Sequence, residues 1–349
     1  MPSSHPPDPS PGGELRPGPG LLSIVIPFYN EEETVPHLRQ HLAEFFPQLP
    51  CAVELILVND GSGDGTLAAL QSWAGANPDV VLVSLSRNFG HQAAATAGLD
   101  RAHGDAVVLM DADLQDPPEL ILRMIEEYRK GFDVVYAQRE SRLGESWRKR
   151  ASAWLYYRLM RFSGCRNLPP DTGDFRLVSA ACLRALQSMR EMHRFIRGMV
   201  TWVGFPQSAV RFVRPPRVAG ETKYDLVRML RFAWAGAVSF SPMPLRLVFG
   251  LGIVVAGAAV FIGAYAVGAM VLHYYVVPGW TSIMFTLCLI GSFILIGLGM
   301  VGEYVAKIFE EVKGRPLYVI DPVRSRNLEP TAQPPGQASL SPAPWTAER

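Results

Sequence analysis

The sequence is short of the features that would assign it quickly. Its four cysteines, Cys51, Cys165, Cys182 and Cys288, show no paired ligand spacing, which argues against a zinc site and for free thiols in a reducing compartment. The histidines are scattered; His91, His103 and His193 lack metal spacing and read as surface or hydrogen-bonded side chains. Lysine plus arginine (33) nearly equals aspartate plus glutamate (32), so a formal net charge of +1 gives no general attraction to nucleic acid. Residues 1–20 are rich in proline, glycine and serine and lack the apolar core of a secretion signal. They are expected to form a disordered tail. The most informative deficit is of charge. Between Arg246 and Glu303 there is no Asp, Glu, Lys or Arg and a single histidine, too long a run for a core strand or soluble helix. It reads as membrane.

Val277-Pro278-Gly279-Trp280 divides that run, with Tyr274, Tyr275 and Trp280 as interfacial aromatics, and each half can cross a bilayer once. Arg228, Arg231 and Arg246 before the pair, and Lys307, Lys313 and Arg315 after it, place both outer ends in the cytosol. The expectation is a two-helix transmembrane hairpin over 242–312 in the inner (plasma) membrane, with the soluble part cytosolic. Ahead of it, arginines alternate with Leu226, Met229, Leu230, Phe232 and Trp234, which predicts an interfacial amphipathic helix over 225–241. Residues 313–349 read as a cytosolic tail, Pro- and Ser-rich after about 325.

Residues 21–224 have a different pattern. Short apolar runs at 21–26, 53–58, 80–83, 106–110 and 133–136 alternate with helical patterns at 31–46, 67–73, 93–102 and 118–130. The fold class is therefore α/β, a mostly parallel sheet covered on both faces. Three polar clusters follow strand ends: Pro27-Phe-Tyr-Asn30-Glu31, Asn59-Asp60-Gly61-Ser62, and Asp111 to Gln115. Parallel strands bring such clusters to one edge, where open α/β sheets bind ligands. Asp111 and Asp113, two apart on extended backbone, can face one hard cation shared with substrate phosphates, and Gln115 can add a neutral oxygen; a polar turn ending the strand is the alternative. Arg139, Arg142, Arg148, Lys149 and Arg150 concentrate positive charge ahead of Trp154-Leu-Tyr-Tyr157, either as a solvated helix face or as an anion site near a membrane surface.

Ser23-Ile-Val-Ile-Pro-Phe-Tyr-Asn-Glu31, Val58-Asn-Asp-Gly-Ser-Gly-Asp-Gly-Thr66, Ser86-Arg-Asn-Phe-Gly-His91 and Met110-Asp-Ala-Asp-Leu-Gln115 together resemble the family 2 glycosyltransferases of GT-A fold. With Gly220-Glu-Thr-Lys-Tyr224 and the membrane segment, the chain is most similar to polyprenyl-phosphate glycosyltransferases, especially bactoprenol glucosyltransferases and, more distantly, dolichol-phosphate mannose synthases. The similarity spans roughly residues 21 to 320.

The resemblance implies a Rossmann-like GT-A catalytic domain and inverting transfer of one hexose from a nucleotide sugar to a polyprenyl phosphate. UDP-glucose with undecaprenyl phosphate is the first expectation and GDP-mannose the alternative. Pro27, Tyr29, Glu31, Asp60 and Arg87 then match nucleotide-contacting positions, and Asp111, Asp113 and Gln115 a Mg²⁺ or Mn²⁺ and diphosphate site. Arg139, Lys149 or Arg150, and Lys223 match acceptor-phosphate positions. Asp174, in Asp171-Thr-Gly-Asp174-Phe-Arg176, is expected to orient substrate or act as a base, or else to pair with Arg176 in a structural turn. The expected partners are the donor, the lipid acceptor and the membrane, with no nucleic acid and the subunit number open. A processive polysaccharide synthase fits less well, because Gln187-Ser-Met-Arg190 is followed by Glu191 where those enzymes carry tryptophan. A non-catalytic scaffold would have no reason to keep the acids together.

Overall fold

The computed structural model describes residues 15–139, 172–212 and 279–328, with scattered helical positions between 245 and 264. It divides into two compact units, residues 1–145, 169–221 and 316–349 in one, and 146–168 and 222–315 in the other.

The first unit is built on a seven-stranded sheet of order β3-β2-β1-β4-β6-β5-β7. The strands are β1 (Leu21–Phe28), β2 (Ala52–Asn59), β3 (Val80–Ser84), β4 (Ala106–Leu109), β5 (Val134–Arg139), β6 (Thr172–Ser179) and β7 (Gln207–Phe212). Four of the six pairings are parallel, and β6 runs antiparallel between β4 and β5. β1 is buried along nearly its whole length, as a near-continuous apolar run on a two-sided sheet should be. Successive side chains go to opposite layers: Leu22, Ile24 and Ile26 join α1 (Thr34–Phe45), α2 (Thr66–Ala76) and α4 (Leu120–Arg129) through Leu38, Leu42, Leu70, Ile121 and Met124. Val25 joins α3 (His91–Leu99), α5 (Ala180–Ser188) and α6 (Ile196–Val203) through Ala94, Leu183 and Ile196.

The small residues of α3 serve close packing. A Cβ on Gly98 would lie 2.3 Å from Val25 Cγ1, so this helix can lie against β1 only with no side chain there. Its first residue is thereby held over the sheet's carboxyl edge.

The described ends of the two expected tails, residues 15–20 and 313–328, are ordered, with 15–20 and 317–327 held against the sheet unit, and the rest of each tail lies outside the described residues. Arg16 hydrogen-bonds Tyr128 O and Phe132 O, pairs with Asp133 at 3.0 Å and lies over the Tyr128 ring, so the stretch just before β1 is held rather than loose. Residues 317–327 dock on edge strand β3: Leu82 bridges Arg326 and Leu85 bridges Ile320, both antiparallel. Asn327 caps the group by donating to Ala74 O, Asn77 O and Val80 O, and the buried Tyr318 hydroxyl donates to Asp100 at 2.7 Å. A strap of this kind covers an otherwise open sheet edge.

In the second unit, helix α7 (Trp280–Val312) holds one stretch long and apolar enough to cross a membrane, Leu289–Val312, whose most apolar 18 residues have a mean hydropathy of 1.8 and are unburied. At 24 residues it spans about 36 Å, more than the roughly 30 Å hydrocarbon layer. The other half of the expected hairpin lies mostly outside the described residues, though the space beside Gly297 is bounded by Val248 at 3.4 Å. The interfacial helix expected over 225–241 lies wholly outside them.

Candidate active site

The loops after β1, β2, β3 and β4 open on the same sheet edge, because these four strands run parallel. The first two loops brace each other. Asn30 N donates to Ser62 Oγ at 3.1 Å, Gly63 N to Asn30 Oδ1 at 2.9 Å, and Glu31 N to Thr66 Oγ1 at 2.9 Å. Gly61 has φ +64°, and a Cβ there would sit 2.4 Å from the Arg87 carbonyl carbon, so the second and third loops also touch. Around this frame Pro27 is buried, Tyr29 is half exposed, and Arg87 is exposed and stacked over the Phe89 ring at 3.9 Å.

Asp60 is buried and its carboxylate is fully engaged. Oδ1 accepts from Phe89 N at 2.7 Å, and Oδ2 accepts from Gly90 N at 2.9 Å and Asn88 Nδ2 at 3.0 Å. Burial raises its pKa, opposed by those backbone N–H groups and by His91 and Arg87. In this structure its direct task is to shape the 88–90 loop, which a reading as a nucleotide contact alone does not include.

Asp111 and Asp113 follow β4, as the apolar run ending there implies, but the backbone beyond it is not extended. Residues 112–114 bend, and Leu114 adopts φ +56°, a left-handed conformation costly for a leucine. The bend changes the alternation expected to carry on to Gln115. Gln115 N donates to Asp113 Oδ1 at 3.1 Å, while its side chain is buried with Oε1 lacking a hydrogen-bond partner among the described residues. Burial raises the pKa of Asp111; His91 opposes this, and the charges of Asp174 and Asp113 add to it.

Among the described residues no group of three or more His, Cys, Asp or Glu side chains gathers as a metal cage. The donor types nevertheless suit a hard divalent ion that takes its remaining oxygens from substrate phosphates: two carboxylates that feel each other's charge, and on the same segment a buried amide oxygen with no hydrogen-bond partner among the described residues.

Asp174 lies on strand β6 and not in a turn. It is buried, with Oδ1 accepting from Arg197 Nε at 2.6 Å and Oδ2 from His91 Nε2 at 3.2 Å and Gln92 Nε2 at 3.3 Å. Arg176 stands 3.9 Å away and also donates to the backbone oxygens of Asp174 and Gly173. Burial works against its charge, but the bonds from His91 and Arg197 and the charges of Arg197 and Arg176 hold its carboxyl far below the usual range. His91 Nε2 also faces Asp111 Oδ1 at 3.6 Å, too far for a hydrogen bond. Burial would lower the His91 pKa, yet the Asp174 bond and the charges of Asp111 and Asp174 raise it.

The structure thus brings Asp111 and Asp174 to the same nitrogen of His91, Nε2, while Asp60 holds the loop just before it. Arg139 ends β5, while Lys149, Arg150 and Lys223 lie outside the described residues. His91, Gln92 and Arg197 are the side chains that sequence reasoning did not assign to the site. The only signal for His91 was its place in Ser86-Arg-Asn-Phe-Gly-His91. Gln92 and Arg197 gave none, because β6 and α6 meet α3 through pairings remote in sequence.

A family model for glycosyl transferase family 2 matches residues 23–186. The uncharacterized glycosyltransferase YkcC of Bacillus subtilis strain 168 is 42% identical over 298 residues, covering 85% of this chain and 92% of that protein. The bactoprenol glucosyl transferase of Shigella phage SfII is 37% identical over 299 residues, 86% of this chain and 97% of its own. Among solved structures, glucosyl-3-phosphoglycerate synthase from Mycobacterium tuberculosis, in complex with Mn²⁺, UDP-glucose and phosphoglyceric acid, matches with a TM-score of 0.46 at 20% identity, over 63% of this chain and 79% of that one. On the extent of these sequence matches the chain belongs to the family 2 glycosyltransferases, as an enzyme related to the bactoprenol glucosyltransferases.

Proposed function

We propose that this enzyme transfers one hexose, with inversion, from a nucleotide sugar to a polyprenyl phosphate at the cytosolic face of a membrane, with UDP-glucose and undecaprenyl phosphate as the pair. The observation that carries the reading is the sheet-edge constellation: Asp111 and Asp113 with the orphaned Gln115 oxygen, beside the buried Asp174. A 24-residue apolar helix in the same chain supports a lipid acceptor. Tyr29, Glu31, Asp60 and Arg87 frame the nucleotide pocket, with Pro27 beneath it. Residues 21–224 form the catalytic part, an interfacial helix over 225–241 follows it, and two membrane spans over 242–312 make the hairpin.

The chemistry follows from charge. Asp111, Asp113 and Gln115 would hold Mg²⁺ or Mn²⁺, which supplies positive charge for the departing nucleoside diphosphate. A phosphate acceptor has its second pKa near about 6 and arrives largely ionised, so no residue need remove a proton. Asp174 suits that scheme, because its depressed pKa makes it a poor base and leaves it to orient neighbouring groups. Arg139, with Lys149 or Arg150 and Lys223, holds the acceptor phosphate through charge-assisted bonds.

The test is a donor screen on purified full-length protein with undecaprenyl phosphate. Label from UDP-glucose should enter the organic phase, depend on Mg²⁺ or Mn²⁺, and vanish with chelator. GDP-mannose as the better donor would change the sugar, and no transfer from any common nucleotide sugar would refute the reading.

A further inference from the structure

We infer that His91 is the positioning residue that joins the two halves of this site, holding Asp174 and facing Asp111 from the first turn of α3. The inference rests on the transfer reading above and adds a residue to it. The backbone fixes where His91 stands. Gly90 has φ +95°, its carbonyl starts α3 by accepting from Ala93 N and Ala94 N at 3.0 Å, and its own N–H is held by Asp60. A residue on the nucleotide side of the cleft therefore sets the start of the helix that carries His91.

From that start the imidazole reaches two carboxylates on different strands. Its Nε2 lies 3.2 Å from Asp174 Oδ2 on β6 and 3.6 Å from Asp111 Oδ1 beyond β4. The adjacent Gln92 locks the arrangement: Nε2 donates to the same Asp174 oxygen, and Oε1 accepts from Ile196 N at 2.9 Å at the head of α6. The next residue of α6, Arg197, grips the other Asp174 oxygen. Without the imidazole, Oδ2 retains, among the described residues, the amide of Gln92 at 3.3 Å, and Asp111 loses the group that faces it. Residues that orient ligands in this way typically change metal affinity or rate by about 10–100-fold when removed.

The experiment compares wild type, His91→Ala and His91→Gln as full-length protein, measuring steady-state transfer and Mn²⁺ affinity by electron paramagnetic resonance. The expected result for His91→Ala is a kcat or Mn²⁺ affinity lower by about 10–100-fold with donor KM nearly unchanged. His91→Gln, whose amide N–H can reach Asp174, should recover most of the loss. Wild-type kcat and Mn²⁺ affinity in His91→Ala, a loss confined to donor KM, or a folded His91→Gln as impaired as the alanine variant would each overturn the inference. If His91→Ala does not fold, His91→Asn replaces it; its shorter side chain should leave it slower than His91→Gln, and equal rates overturn the proposal. If wild type transfers no hexose, the transfer reading fails, and the Mn²⁺ affinities still decide the role of His91.

Discussion

Replacing Asp174 by Asn separates this acid from the others at the sheet edge. Its side chain is 5% exposed, and the change removes the counter-charge of Arg176, also 5% exposed, and of Arg197 at 34%. Among the described residues, Arg176 would keep the backbone carbonyls of Asp174 and Gly173 as acceptors. Breaking a buried pair by neutralising one partner costs about 3–5 kcal/mol, and the partial exposure of Arg197 places this case near the lower end. For a unit of about 150–250 residues each kcal/mol moves the melting point by about 2–4 °C, so a fall of about 6–12 °C is expected. The assay is thermal unfolding of the full-length protein in detergent. The pH dependence supplies a second reading. Because the folded-state pKa of Asp174 is depressed, its contribution is present above the unfolded value near about 3.9 and is lost as pH falls below it. Wild type should hold this contribution through neutral pH and lose it below about pH 4, and Asp174→Asn should show a smaller acid-side decline. A variant melting with wild type at neutral pH would refute the counter-ion assignment.

Asp113→Asn should contrast with it, because Asp113 is only partly buried. Turnover should nearly vanish with the melting point unchanged, and full activity would remove Asp113 from the metal site. Gly61→Ala places a Cβ 2.4 Å from the Arg87 backbone at φ +64°, costing at least about 1–2 kcal/mol. It should lower the melting point and raise donor KM; wild-type values for both would show that the two loops do not depend on this contact. Tyr318→Phe removes a bond to the buried Asp100 carboxylate, worth about 1.5–3 kcal/mol. Faster amide hydrogen exchange at Asp321 and Arg326 checks it, since both pair with the edge strand.

The legible parts of this molecule were those written in local pattern. The apolar run of β1 announces a buried strand, and that of β4 announces a strand that stops just before Asp111 and Asp113. The alternative of a structural turn at Asp174 does not hold, because pairing of its strand with β4 and β5, which local pattern does not reveal, makes the segment extended, although the ion pair with Arg176 is there. His91 looked isolated for the same reason, its partners coming from strands that local spacing does not connect. The segment after α7 misled through composition. Residues 313–349 read as one cytosolic tail, yet Asp321 N donates to Ser84 O and the buried Ser325 hydroxyl accepts from Ser84 N.

That returning segment changes what the membrane portion is in the architecture of the chain. Polypeptide leaves the catalytic unit after β7 and re-enters it beside β3, the two margins of the seven described strands, about 29 Å apart at a strand spacing of about 4.8 Å. The apolar helix is thus an insertion within the unit's covalent path and not an appendage at its end. Nicking the chain between Lys313 and Arg315 would leave the downstream peptide clasped to β3, so the unit could lose its covalent link to the end of α7 without losing its finished edge.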